Sequence, residues 1–160
     1  MSATTVTLPT STMTISKAVL WGGFIAGVLD AVDGVVAFGF KGLNPIQVLQ
    51  YIASGLLGPS SFHGGLVTAA LGTVFHFFIA FVAAAVYVLV SQRITILKSR
   101  AVLFGVLYGV TVYFFMNYLV LPVSAVGHSP FSLGLFLNGV IGHGIFLGLP
   151  IALYARRTAR

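Results

Sequence analysis

Apolar residues fill four long stretches of the chain, about 18–40, 62–91, 101–121 and 134–154, and polar residues collect between them. A helix of about 20 residues crosses a hydrocarbon core of ~30 Å, so each stretch is long enough to span a bilayer. Each must be helical, because backbone groups left unpaired against lipid are too costly. The pattern therefore predicts an all-α integral membrane four-helix bundle over residues 18–155. Residues 1–16 hold nine Ser or Thr, one Pro and no charge, so 1–17 reads as a disordered or surface-lying tail. Residues 156–160 form a basic tail after the last span.

The loops between the spans differ. Residues 44–57, NPIQVLQYIASGLL, open with Asn44 as a cap and Pro45 at the first helical position. Ile46, Leu49, Ile52 and Leu56 recur near helical spacing, with Gln47, Gln50 and Ser54 elsewhere around the wheel, and Gly58-Pro59 ends the run. This predicts a short amphipathic helix on the membrane interface or tucked back into the bundle. The loop from Pro122 to Leu133, with Gly127, His128 and Pro130, reads as irregular.

Composition sharpens the class. The chain is 58% hydrophobic and 6% charged, with a mean hydropathy of +1.07. Soluble domains carry roughly 25% charged residues, so a soluble enzyme and a chain disordered throughout are both excluded. A net charge of +6 would suit nucleic acid, but the bases flank the spans, and the bilayer is the expected partner. Lys17, Arg93, Lys98, Arg100, Arg156, Arg157 and Arg160 all fall on one side of a four-span chain, and Lys41 alone on the other. The positive-inside rule then puts both termini in the cytoplasm. A cleavable signal peptide is the competing reading of the first span, and Asp30 and Asp33 inside it argue against that. Without cysteine there are no disulfides and no thiolate metal sites.

Candidate chemistry lies with residues that lipid should exclude. Asp30 and Asp33 are the only acids, and helical spacing puts both on one face of the first span, with Gly23, Gly27 and Gly34 on the same general side. An Asp at a span centre costs about 3 kcal/mol, so the pair needs protonation, a cation or a set of donors. His76 lies on a small-residue stripe of the second span, and His143 stands among Gly139, Gly142 and Gly144 of the fourth. Asn117 and Asn138 add amides nearer the outside. Asp30, His76 and His143 agree in depth to within one or two turns, so all six can converge in the outer half of one bundle.

Three readings follow. In one, the acids and histidines form a buried network that only fixes helix register. In another, Asp30, Asp33, His76 and His143, with Asn117 and Asn138, bind or relay protons or a cation. In the third, His76 and His143 ligate a b-type haem for electron transfer. A membrane hydrolase finds no serine motif with a partner. His63 and His128 read as surface residues, Lys41 as an interfacial anchor, and Trp21 as part of an aromatic belt. Gly134, Asn138 and Gly142 form a small stripe suited to packing within the monomer or to a homo-oligomer.

A weak internal repeat is also visible. Gly23-x3-Gly27 in the first span matches Gly105-x3-Gly109 in the third, and His76…Tyr87 matches His143…Tyr154 in spacing. The alternative is coincidence, since glycine is common in membrane helices. A duplication would relate two helical hairpins by an axis along the membrane normal.

The segments WGGFIAGVLD, LQYIASGLLG, GGLVTAALGTVFHFFIAFVAAAVYVL and YFFMNYLVLPVSA resemble a group of small bacterial inner-membrane proteins, similar in style to the YagU-like family. The resemblance covers residues about 18–155. It implies a bacterial inner-membrane location and a link to acid tolerance, and it assigns no catalytic residue.

Overall fold

The computed structural model describes residues 12–126 and 131–159. Residues 1–11 of the expected tail, the loop residues Gly127, His128 and Pro130, and Arg160 lie outside the described residues. The fold is all-α, with four helices long and apolar enough to cross a membrane. These are α1 (Ile15–Gly39), α3 (Gly65–Arg93), α4 (Ala101–Val123) and α5 (Leu133–Ala155), and a shorter α2 (Pro45–Leu57) lies between α1 and α3. Each span falls within a few residues of its apolar stretch.

Local chemistry sets the starts. Thr14 caps α1 by accepting from the Lys17 amide. Asn44 and Gln47 bond each other's backbone at the head of α2, with Pro45 at its first position. Two spans contain a wide π-type turn, over Met116–Val120 in α4 and His143–Gly148 in α5. Such turns carry an extra residue and are frequent at functional sites.

The core is built of small residues. Ala18, Ala26, Ala80, Ala84, Ala152 and Ala155 are buried, whereas Leu20, Phe24, Phe78, Leu103 and Leu119 are exposed. Lipid solvates large apolar side chains, so small residues that let backbones approach are favoured inside, with Val88, Leu147 and Ile151 buried among them. α1 packs on α3 and α5, and α4 packs on α5. Gly72 shows how close the approach becomes, since a Cβ there would fall on the Leu49 carbonyl oxygen of α2.

That contact seats α2 against α3, tucked into the bundle. Its buried face is Val48, Gln50, Ala53 and Ser54, while Ile46 and Leu56 are exposed. Gln50 donates to the Gly65 carbonyl at 3.0 Å and to the Thr68 hydroxyl at 3.3 Å. The packed face thus mixes small and polar residues, and inside the bundle the Gln50 amide finds partners.

One end of the bundle is basic. The Met13 amide donates to the Arg157 carbonyl at 2.8 Å, and Gln92 donates to Thr158 at 3.2 Å. These bonds bring the start of α1, the end of α3 and the end of α5 together, with Lys17, Arg93, Arg100, Arg156 and Arg157 exposed around them. Lys98 turns inward instead, donating to Gln92 Oε1 at 2.7 Å and the Ala159 carbonyl at 2.9 Å. Sequence reading had treated it only as a topology charge. Its cage joins residues 61 apart in the chain, which no local pattern announces.

Candidate functional site

α1 turns two adjacent stripes to its neighbours. Gly23 and Gly27 face α3, where added Cβ atoms would stand 2.6 Å from the Phe81 ring and 2.9 Å from the Phe77 ring. Gly22, Ala26, Asp30 and Asp33, spaced by four, four and three, form the stripe toward α5. Gly22 packs on Tyr154, and both acids find their partners on α5. The sequence had grouped the acids with Gly23, Gly27 and Gly34. In the fold the glycine pair and the acids serve different neighbours, and Gly34 meets nothing within 4 Å.

Asp33 accepts a hydrogen bond from the Asn138 amide at 2.8 Å. Its other neighbour is Gly142, one turn further along α5, where a Cβ would overlap Asp33 Oδ2. Asp30 Oδ1 stands 3.6 Å from His143 Nδ1, with the side chains 14% and 26% exposed. That separation is too long for a hydrogen bond and pairs charges only when the imidazole is protonated. His143 Nδ1 is buried and makes no hydrogen bond among the described residues. The imidazole also meets the Tyr113 ring of α4 edge-on, with centroids 5.5 Å apart. Gly139 makes room for that ring, since a Cβ there would overlap it.

The other two candidates bond to backbone carbonyls beside this group. His76 Nε2 pairs with the Gly27 carbonyl of α1 at 2.7 Å. Asn117 donates to the Tyr113 carbonyl of its own helix at 2.9 Å, within the α4 π-type turn. Four of the six predicted residues, Asp30, Asp33, Asn138 and His143, therefore meet across α1 and α5. His76 bonds across α1 and α3, while His143 faces α1 from α5. The haem alternative, which needs both rings turned to one pocket, draws no support from this geometry.

The packing glycines divide in the same way. A Cβ added at Gly105 would meet Ala152 and stand 3.0 Å from the Gly148 carbonyl oxygen, and one at Gly109 would overlap the His143 carbonyl. Gly142 receives Asp33. Gly134 meets nothing within 4 Å, so only the inner part of the Gly134–Asn138–Gly142 stripe is used within the monomer.

A repeated relationship emerges between the hairpins. Gly27, the second glycine of the α1 motif, touches His76 through its carbonyl. Gly109, the second glycine of the α4 motif, touches the backbone of His143. Each glycine motif thus faces the histidine-bearing helix of its own hairpin.

No protein-family model, curated protein or solved structure matches the chain, so the chemistry of this cluster is read from its own geometry.

Proposed function

We propose that this multi-pass membrane protein relays protons through the cluster of Asp30, Asp33, His143 and Asn138. The observation that carries the proposal is the pairing of Asp30 Oδ1 with the buried, otherwise unbonded His143 Nδ1 at 3.6 Å. A carboxylate and an imidazole at that separation exchange a proton with a small movement. Asp33 lies on the next turn of α1, its carboxylate held in place by Asn138. Ionisable groups inside a membrane span are rare and mark ion and proton pathways.

A proton fits this donor set better than a divalent cation. Among the described residues no three His, Cys, Asp or Glu side chains are grouped to hold a metal. One Asp33 oxygen is also engaged by an amide donor.

The same reading puts the chain in a bacterial inner membrane, with the basic end and both termini in the cytoplasm. The acids then lie in the outer half of α1, toward the side where external acid arrives. The link to acid tolerance implied by the YagU-like resemblance belongs to this proposal.

The test is proton flux in proteoliposomes carrying an internal pH dye under an imposed gradient. The wild-type protein is expected to collapse the gradient faster than empty vesicles. Asp30→Asn combined with Asp33→Asn is expected to return the rate to that of empty vesicles. Equal flux in the wild type and the double variant would leave the cluster a purely architectural role.

A further inference from the structure

α3 and α4 pack mainly on other helices and meet each other through two tyrosines. The rings of Tyr87 and Tyr108 stand 5.0 Å apart, and the Tyr108 hydroxyl donates to the Ala83 carbonyl at 2.8 Å. Beside this contact lies an open groove of about 230 Å³, lined by Val86 and Val90 of α3, Leu97 of the connecting turn, and Phe104, Leu107 and Thr111 of α4. Its polar atoms are already engaged. Tyr87 donates to the Leu97 carbonyl at 3.0 Å, and Thr111 donates to the Leu107 carbonyl at 2.8 Å. What the groove offers an occupant is therefore carbon.

Two further features fix the kind of occupant. On α4 the groove's lining runs from Phe104 to Thr111, which at 1.5 Å per residue is ~10 Å and fits within the ~15 Å of one leaflet. Its mouth is cationic as well. Arg93 continues the Val86–Val90 face at helical spacing, and Arg100 stands one turn before Phe104, whose amide donates to the Arg100 carbonyl. Both arginines are exposed. The chain's two acids lie in α1, toward the opposite end of the bundle, so no carboxylate side chain competes at this mouth.

We propose that the α3–α4 groove binds one anionic phospholipid, with an acyl chain along the groove and the headgroup phosphate between Arg93 and Arg100. Guanidinium groups suit this role because their planar donor forks match phosphate oxygens in pairs. The site is separate from the Asp–His cluster and does not depend on its chemistry.

Native mass spectrometry of the detergent-purified protein, titrated with phosphatidylglycerol or phosphatidylcholine, tests the assignment. The wild type is expected to retain one phosphatidylglycerol in preference to phosphatidylcholine, and inorganic phosphate is expected not to displace it. Arg93→Gln with Arg100→Gln should cut that preference about thirty-fold, the loss expected for two arginines at an anionic surface. Lys17→Gln with Arg156→Gln, which removes the same charge at the same end, should leave it intact. Leu107→Trp, which fills the groove, should lower retention of both lipids. The assignment is overturned by equal retention of the two lipids, by displacement with inorganic phosphate, or by unchanged preference in the Arg93/Arg100 variant. Equal loss in both charge variants, or unchanged retention in Leu107→Trp, would overturn it too.

Discussion

The carboxylate of Asp33 occupies the space that a side chain at residue 142 would fill, so Gly142 is what allows Asp33 to reach Asn138. Gly142→Ala is expected to drive α1 and α5 apart and destabilise the protein by about 1–3 kcal/mol, the usual cost of overpacking. Asp33→Ala removes the atom that the new methyl meets. The double variant should therefore lose less than the two single losses added together. Thermal melts in detergent of the four proteins close this cycle, and strict additivity would show that the two residues do not meet.

The two histidines should separate under mutation. His76→Phe loses its bond to the Gly27 carbonyl, a loss of roughly 0.6–2 kcal/mol for a polar contact between membrane helices. It should leave proton flux within a factor of about two once melting is allowed for, less than 0.5 kcal/mol on the transport barrier. His143→Gln should do the reverse, with little change in melting and a flux near that of empty vesicles. A common effect of both variants on flux would argue that His76 also belongs to the pathway.

α2 is seated by the bare backbone of Gly72. Gly72→Val should unseat it, since even one added carbon would fall on the Leu49 carbonyl. The chain contains no cysteine, so a single introduced thiol reports cleanly. Ala53→Cys is expected to resist a water-soluble maleimide in the native protein and to react in the Gly72→Val background. Rapid labelling of Ala53→Cys on its own would place that face of α2 in water.

Lys98 closes the basic end by binding Gln92 and the Ala159 carbonyl. Lys98→Met keeps the length of the side chain and leaves both acceptors without that donor, at a cost of about 1–3 kcal/mol for buried groups. The segment from Arg156 onward should then become sensitive to carboxypeptidase. Resistance equal to the wild type would mean that Met13 and Gln92 suffice to hold it.

Thiol accessibility from the two sides of inverted and right-side-out vesicles checks the orientation. Ser99→Cys at the basic end is expected to react from the cytoplasmic face and Gly42→Cys from the outer face. The opposite pattern would reverse the assignment of the leaflets.

The spans were legible because length and hydropathy alone decide them in a bilayer. The pairing of Asp30 and Asp33 with the fourth span was partly legible too. Buried acids need donors, and depth narrows the choice to a few side chains. His76 was grouped with them by depth, which does not distinguish a side-chain partner from a backbone carbonyl, and its bond goes to the Gly27 carbonyl, one turn before Asp30. The packed face of α2 was hidden for a different reason. In lipid, the large apolar residues Ile46 and Leu56 have no need of the interior, so burial falls to Val48, Gln50, Ala53 and Ser54. Lys98 was unreadable locally, since its acceptors come from the end of α3 and from the last described residue.

The repeated glycine–histidine contact has one more consequence. In the first hairpin the imidazole itself makes the contact, so His76 is committed to holding two helices together. In the second hairpin the backbone makes it, and the ring of His143 is released to face an acid on another helix. Two matching positions have thus taken different employments: one histidine is a rivet and the other a reagent.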